Sequence, residues 1–255
     1  MKLAIIGGSL FSHIHGLEHV NKKHIKTPYG EPSACPVCGN VGDLEVVFIN
    51  RHGVDHNLAP HQINYRANMF ALKMLDVTHV IAVAAVGGIT QNMPPLKCVV
   101  PDQIIDYSYG RKHTFNDASE DGVKHIDFSY PYDEDVRQRL IKAADESGVE
   151  CETRATYGAT QGPRLETIAE IKRMKQDGCD IVGMTGMPEA ALARELEINY
   201  ANLSLVVNWA AGVEKMVEDD SRHQIISMDE IKQLITEGNS IVERVVSMTM
   251  ATINE

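Results

Sequence analysis

Two rhythms of apolar residues alternate along the chain. Short, nearly unbroken apolar runs, the mark of strands covered on both faces, fall at residues 2–6, 44–49, 79–86, 180–184 and 200–207. Two further runs, at 99–105 (entered through Pro101) and 154–160, predict additional strands. Between them, apolar positions recur at helical spacing over 64–75, where Tyr65, Met69, Leu72 and Leu75 share one side, and over 134–147, 190–196 and 225–251. A Gly162-Pro163-Arg164 turn predicts the start of another amphipathic helix with Glu166 buried early in it. Pro188-Glu189 starts the helix that continues through 190–196, and Ser227 ahead of Glu230 predicts an N-cap for the last one.

Strands alternating with helices, without repeats or a Pro/Ser-rich linker, predict one α/β domain spanning 1–255 around a central mixed sheet flanked by helices on both faces. Residues 110–133, polar and rich in His, Asp and Tyr, read as a long loop, and 212–223 as an acidic insertion.

Composition narrows the functional classes. Among 255 residues, 44% are hydrophobic and 23% charged, as expected of a chain with a full core. A net charge of −11 argues against a nucleic-acid or anionic membrane surface, which needs clustered Lys and Arg. The start, MKLAIIGGSL, is too short and Gly-interrupted for a signal peptide or membrane span, and five scattered cysteines describe no disulfide framework. Both point to a reducing cytoplasm.

The candidate chemistry sits where strands end, the usual ligand position of open α/β sheets. Ser9 follows Gly7-Gly8, Arg51-His52 closes the second strand, and Thr185 ends the strand at 180–184. An Arg fork, hydroxyls and loop amides suit an anion such as phosphate. Taken singly, Arg51-His52 equally suits a surface turn, and Gly7-Gly8 a tight turn, since neither a Walker loop nor a dinucleotide fingerprint is present. Asn208 is either a helix cap or a carboxamide facing a planar ligand. Cys35-Pro36-Val37-Cys38 lacks the second ligand pair of a structural zinc site and reads as a hairpin loop with incidental thiols. His52 and His56, in a Gly-containing loop, do not read as metal ligands.

Taken in order, IIGGS, TPYGEPS, RHG followed by His, INYRANMFALK, VGG, GPRLETIAE, GMTGMPE and VVN resemble the trimeric nucleoside phosphorylases over about residues 3–250. Within that family the pattern is most similar to the bacterial enzymes acting on S-methyl-5′-thioinosine. The resemblance implies phosphorolysis without metal or organic cofactor, inorganic phosphate being the co-substrate. It also implies a homotrimer, or a dimer of trimers, with active sites at subunit interfaces. By position it implies Ser9, Arg51, His52 and Thr185 around phosphate, with Glu166, Asn208 and His52 as the catalytic set. Met184 would lie against the ribose, with Leu165, Ala85 and Ala210 nearby, and His125 would reach into the neighbouring subunit's site.

Two positions bear on the substrate. Glu166 and Asn208 match the pair with which 6-oxopurine enzymes grip N1–H and the O6/N7 edge, whereas adenine-specific relatives carry Asp in place of Asn208. At the 5′ end, where inosine enzymes place His, the alignment brings Met228 with Ile231 one turn on, an apolar wall suited to a methylthio group. The expected reaction is therefore S-methyl-5′-thioinosine plus phosphate giving hypoxanthine and 5-methylthioribose 1-phosphate. A general inosine/guanosine phosphorylase, a methylthioadenosine phosphorylase and a non-catalytic nucleoside-binding protein are the alternatives. The chain departs from the family pattern at Ala84, where relatives carry a polar residue, and at Ser9, where Thr is usual. Trp209-Ala210 stands where the adenine enzymes have a second Asp.

Overall fold

The longest apolar run forms the central strand, β5 (His79–Gly88). A computed structural model describes residues 1–116, 122–213 and 226–253. One edge of β5 pairs in parallel with β11 (Asn199–Trp209) along its whole length. The other edge is shared. It pairs in parallel with β1 (Lys2–Gly7) from His79 to Ala82, then in antiparallel with β10 (Ile181–Gly183) at Gly87 and Gly88. Residues 83–86 have no strand partner on that edge. The sheet is split there.

On the β1 side, β4 (Leu44–Asn50) runs parallel to β1, and β3 (Val37–Val41) and β2 (Glu18–Lys22) extend it antiparallel. On the β10 side, β9 (Thr156–Ala159) and β7 (Gln103–Asp106) continue in parallel. Beyond β11 lie β6 (Cys98–Val99) and β8 (Cys151–Glu152). The mixed sheet predicted from the alternation is present.

Helices cover both faces. Along β1, Leu3 and Ile5 pack into the cluster closed by α2 (Glu134–Glu146) and α5 (Met228–Thr252). Ala4 and Ile6 point the other way, to α1 (Tyr65–Met74) and α4 (Glu189–Glu195). This is the period-two geometry of a strand buried on both sides, and each fully buried Leu or Ile contributes about 1.5–3 kcal/mol. Ser227 caps α5 by accepting from the Glu230 amide (3.3 Å), as its position predicts, although α5 begins at Met228 rather than 225.

Three sequence readings are corrected. The run at 99–105 is two strands, β6 and β7, broken around Pro101, which lacks the N–H that ladder pairing needs. The helix expected to open at Gly162 is α3 (Ile168–Gln176), which starts only after the Thr167–Glu170 capping box; Glu166 therefore lies in the preceding loop, half-buried. Cys38 is a residue of β3, not of a hairpin loop, and Cys35 precedes that strand with its Sγ 3.3 Å from His24 Nδ1. The long loop expected at 110–133 carries no helix or strand in its described parts, and the acidic insertion, from 214 on, lies outside the described residues.

Candidate active site

A cavity of about 520 Å³ opens at the split in the sheet, within the range of small-molecule sites. Residues 83–87 of β5 form its floor. Because β1 and β4 are parallel to β5, their C-terminal ends deliver Gly8, Ser9, Arg51 and His52 to the gap. Because β10 is antiparallel to β5, the chain leaving it runs back along the gap and brings Met184 and Thr185. Gly183 allows this turn, since a Cβ there would stand 2.1 Å from the Tyr157 hydroxyl oxygen.

The centre of the cavity wall is a buried ion pair. Arg51 is 1% exposed and Glu189 is fully buried; Nε and Nη2 of Arg51 donate to the two carboxylate oxygens at 2.8 Å each. Arg51 Nη1 donates to the Val83 carbonyl oxygen (3.0 Å), one of the backbone groups left without a strand partner by the split. Tyr200 donates its hydroxyl to Glu189 Oε1 (2.9 Å). Burial alone would lower the Arg51 pKa, but the adjoining carboxylate more than offsets it, and the guanidinium stays charged. Of its five N–H groups, one on each terminal nitrogen remains for an anion.

His52 has one assigned proton position. Its Nδ1 lies 2.9 Å from the Leu58 carbonyl oxygen, which can only accept, so Nδ1 carries the hydrogen. Burial pulls the ring pKa down to about 4, helped by Arg51 and His56 and opposed by that backbone bond. At neutral pH Nε2 is therefore a bare lone pair. His56 packs at a tilt against His52 with ring centres 4.6 Å apart and planes 37° apart, and its Nε2 is 3.2 Å from Ser9 Oγ.

The polar groups expected at a base sit in the same cavity. Thr160 donates its hydroxyl to Glu166 Oε1 (2.7 Å), orienting the carboxyl. Asn208 donates to the Trp209 carbonyl oxygen (2.7 Å) and retains a second N–H and its own carbonyl oxygen. Met228, Ile231 and Ile235 of α5 form an apolar wall, which Met228 leaves partly open at 56% exposure.

Of the residues singled out from sequence, Ser9, Arg51, His52, Ala85, Leu165, Glu166, Met184, Thr185, Asn208, Met228 and Ile231 all line this cavity. Two do not. Ala210 is buried behind it, its amide donating to the Gly88 carbonyl oxygen (2.9 Å), and His125 is exposed and outside the lining. Sequence reasoning passed over Glu189, read only as a helix start, and Thr160, just after β9. Glu189 closes the GMTGMPE motif but was given no role there, and Thr160 lies in no motif; each matters through a partner distant in sequence or outside its own element. His56 did leave a signal, its spacing of four from His52, and the structure sets its Nε2 beside Ser9 Oγ at the cavity.

Comparison with known proteins identifies the family and the fold. The model of the Phosphorylase superfamily matches residues 2–246. A protein of Pseudomonas syringae pv. tomato described as a probable S-methyl-5′-thioinosine phosphorylase is 48% identical over 248 residues, covering 97% of this chain and 98% of that one. The 6-oxopurine nucleoside phosphorylase of Pyrococcus furiosus is 46% identical over 83% of this chain and 81% of its own length. Among solved structures, methylthioadenosine phosphorylase from Schistosoma mansoni in complex with adenine superposes with a TM-score of 0.91 at 31% identity, covering 100% of this chain and 92% of that one.

Proposed function

Because the chain belongs to the phosphorylase superfamily, we propose that it cleaves S-methyl-5′-thioinosine with inorganic phosphate, releasing hypoxanthine and 5-methylthioribose 1-phosphate. It is a nucleoside phosphorylase, a pentosyltransferase of purine salvage. The observation that carries the substrate reading is the joint placement of Glu166, Asn208 and an apolar α5 wall in the cavity that holds Arg51.

Phosphate binds to the two remaining Arg51 N–H groups, the Ser9 and Thr185 hydroxyls and the loop amides around Gly8. The Arg51–Glu189 pair is neutral overall, so the site attracts the anion by directed N–H groups rather than by net charge. His52, with Nε2 unprotonated, accepts the hydrogen that a hydrogen phosphate ion still carries. A phosphate oxygen attacks C1′ as the C1′–N9 bond breaks. The sugar becomes oxocarbenium-like and the bonding pair moves onto the purine. Asn208 donates at the N7/O6 edge, where that negative charge develops, and a single such donor is typically worth about 10²–10³ in rate. The proton given up by the hydrogen phosphate is passed from His52 through solvent to the departing base, giving free hypoxanthine and the 1-phosphate dianion. No step requires a metal or an organic cofactor.

Glu166 sets the base preference. Its carboxyl, held by Thr160, accepts from N1–H of a 6-oxopurine; adenine has a lone pair at N1 and leaves the carboxyl unpaired. Sites that reject by an unpaired buried polar group can reach roughly 10⁴–10⁵ in discrimination. The Met228–Ile231 wall sets the 5′ preference, since neither side chain can pair with a 5′-hydroxyl.

The assembly is a homotrimer, or two trimers face to face, in the cytoplasm. The exposed flank of the cavity at Met228 and the exposed His125 support this, as a neighbouring subunit then closes the 5′ end. Among the described residues no helix is long and apolar enough to cross a membrane.

The deciding experiment measures purine release from methylthioinosine, inosine, guanosine and methylthioadenosine, with and without phosphate, compared by kcat/KM. Phosphate-dependent cleavage dominated by methylthioinosine is expected. Preference for inosine or guanosine would remove the 5′ assignment, and preference for methylthioadenosine would remove the base assignment.

A further inference from the structure

A cluster outside the cavity has the chemistry of a metal site. The chain that leaves Ser9 turns back through the Gly8–Phe11 bridge and sends Leu10, Phe11 and Ile14 into the core. Ile14, at 8% exposure, anchors the segment. Its two neighbours, His13 and His15, are consequently on the outside together, at the two-residue spacing that places side chains on one face of an extended chain. There they meet Glu243 of α5, whose own neighbour Val242 is fully buried.

The hydrogen-bonding capacity of this trio does not close on itself. His13 Nε2 lies 2.9 Å from His15 Nε2, and His15 Nε2 lies 3.2 Å from Glu243 Oε1. Three atoms that can each offer a lone pair thus lie within 4.8 Å of one another. With both rings neutral, a hydrogen on His15 Nε2 must be shared between the other two atoms. A hydrogen on His13 Nε2 instead leaves the His15 lone pair facing a carboxylate oxygen. A divalent cation satisfies all three at once. The spacing is near what zinc needs: ligand atoms about 2.0–2.2 Å from a tetrahedral zinc stand roughly 3.3–3.6 Å from each other, so the 2.9 and 3.2 Å separations here open by a few tenths of an ångström when the ion enters.

The surroundings orient the ligands. Ser12 Oγ is 3.2 Å from His13 Nδ1, which turns Nε2 toward the centre, the arrangement that commonly sits behind a metal-bound imidazole. One turn before Glu243, the Asn239 side chain faces the carbonyl oxygens of Leu10 and Ile235, and with its amide assigned so that the nitrogen points to them it donates to both (2.5 and 3.2 Å), tying the same two segments together. The nearest cation in sequence, Arg244, is turned away to the Ser240 carbonyl oxygen (3.4 Å).

We propose that His13, His15 and Glu243 bind a zinc ion that clamps the segment following Ser9 to α5. Two His and one Glu with an open fourth position is an established zinc donor set. The clamp joins the two elements that supply the cavity with Ser9 on one side and with Met228, Ile231 and Ile235 on the other. Water fills the fourth position, and the ion ties the two segments together, separate from the phosphorolysis and independent of which nucleoside is cleaved.

The test uses the full chain, stripped with chelator and titrated with zinc against a chromogenic competitor at neutral pH. One zinc per chain is expected for the wild type. His15→Ala should weaken it by more than the roughly 10–100-fold that loss of a mere supporting partner costs. Cys35→Ser, which removes the thiol beside His24, should bind as the wild type does. Cobalt substituted for zinc should show tetrahedral ligand-field bands without a thiolate charge-transfer band. Zinc should raise the Tm of the wild type and not that of His15→Ala; the exposed position of His15 makes the metal-free Tm values equal. Undiminished zinc binding by His15→Ala, a thiolate band, or no stoichiometric zinc in the wild type would each overturn the proposal.

Discussion

Arg51 and Glu189, 138 residues apart in sequence, meet through two 2.8 Å hydrogen bonds inside the wall of the cavity. Their pairing makes a buried guanidinium possible at the split in the sheet. Removing one partner of a buried ion pair costs about 3–5 kcal/mol, because the other charge stays buried and uncompensated. Glu189→Gln should therefore lower stability by that order in urea unfolding, and raise the KM for phosphate more than that for nucleoside. A stability loss below about 1 kcal/mol would show that the pair does not carry this load.

His52 makes stability depend on pH in one direction. Its folded pKa of about 4 is below the ordinary value of 6.5, so the unfolded chain binds the extra proton between those limits. Stability attributable to His52 is fully present above pH 6.5 and falls as the pH drops, by roughly 3 kcal/mol at pH 4. Urea unfolding of the wild type and His52→Asn from pH 7 to 4 isolates this contribution. Parallel curves for the two proteins would contradict the buried neutral ring.

Base choice should move with a single atom. Asn208→Asp replaces an amide donor by a carboxyl that can face a 6-amino group. The ratio of kcat/KM for methylthioinosine over methylthioadenosine is expected to fall by about 10²-fold or more. An unchanged ratio would place the base elsewhere in the cavity.

At the other end, Met228→His introduces a partner for a 5′-hydroxyl into the apolar wall. The preference for methylthioinosine over inosine should drop by about 10–200-fold, the span of one apolar contact. Equal losses with both substrates would mean that Met228 acts on folding or assembly instead.

The apolar runs disclosed the central strands because strands buried on both faces cannot tolerate polar residues, and β1, β4, β5, β10 and β11 all emerged within a few residues of their observed ends. The edge strands β2 and β3 left no such trace. The side chains of β2 are all exposed and those of β3 only half-buried, so backbone pairing holds these strands rather than a buried face. Glu166 was recognised, but its position was read from the Gly-Pro-Arg turn, whereas the stronger Thr167–Glu170 capping box sets the start of α3.

Sequence by itself determined the order of the core strands and helices and the N-cap of α5, since these follow from local spacing and residue type; the phosphate and base roles were implied by the resemblance of motifs taken in order, not by spacing. Tertiary structure alone decided that β1 and β10 share one edge of β5 and leave residues 83–86 open between them. The Arg51–Glu189 pair, the proton on His52 Nδ1 and the meeting of His13, His15 and Glu243 depend likewise on three-dimensional placement. Each is a relation between groups brought together by strand pairing or by packing on the core, and no local pattern encodes which distant backbone or side-chain group will be the partner.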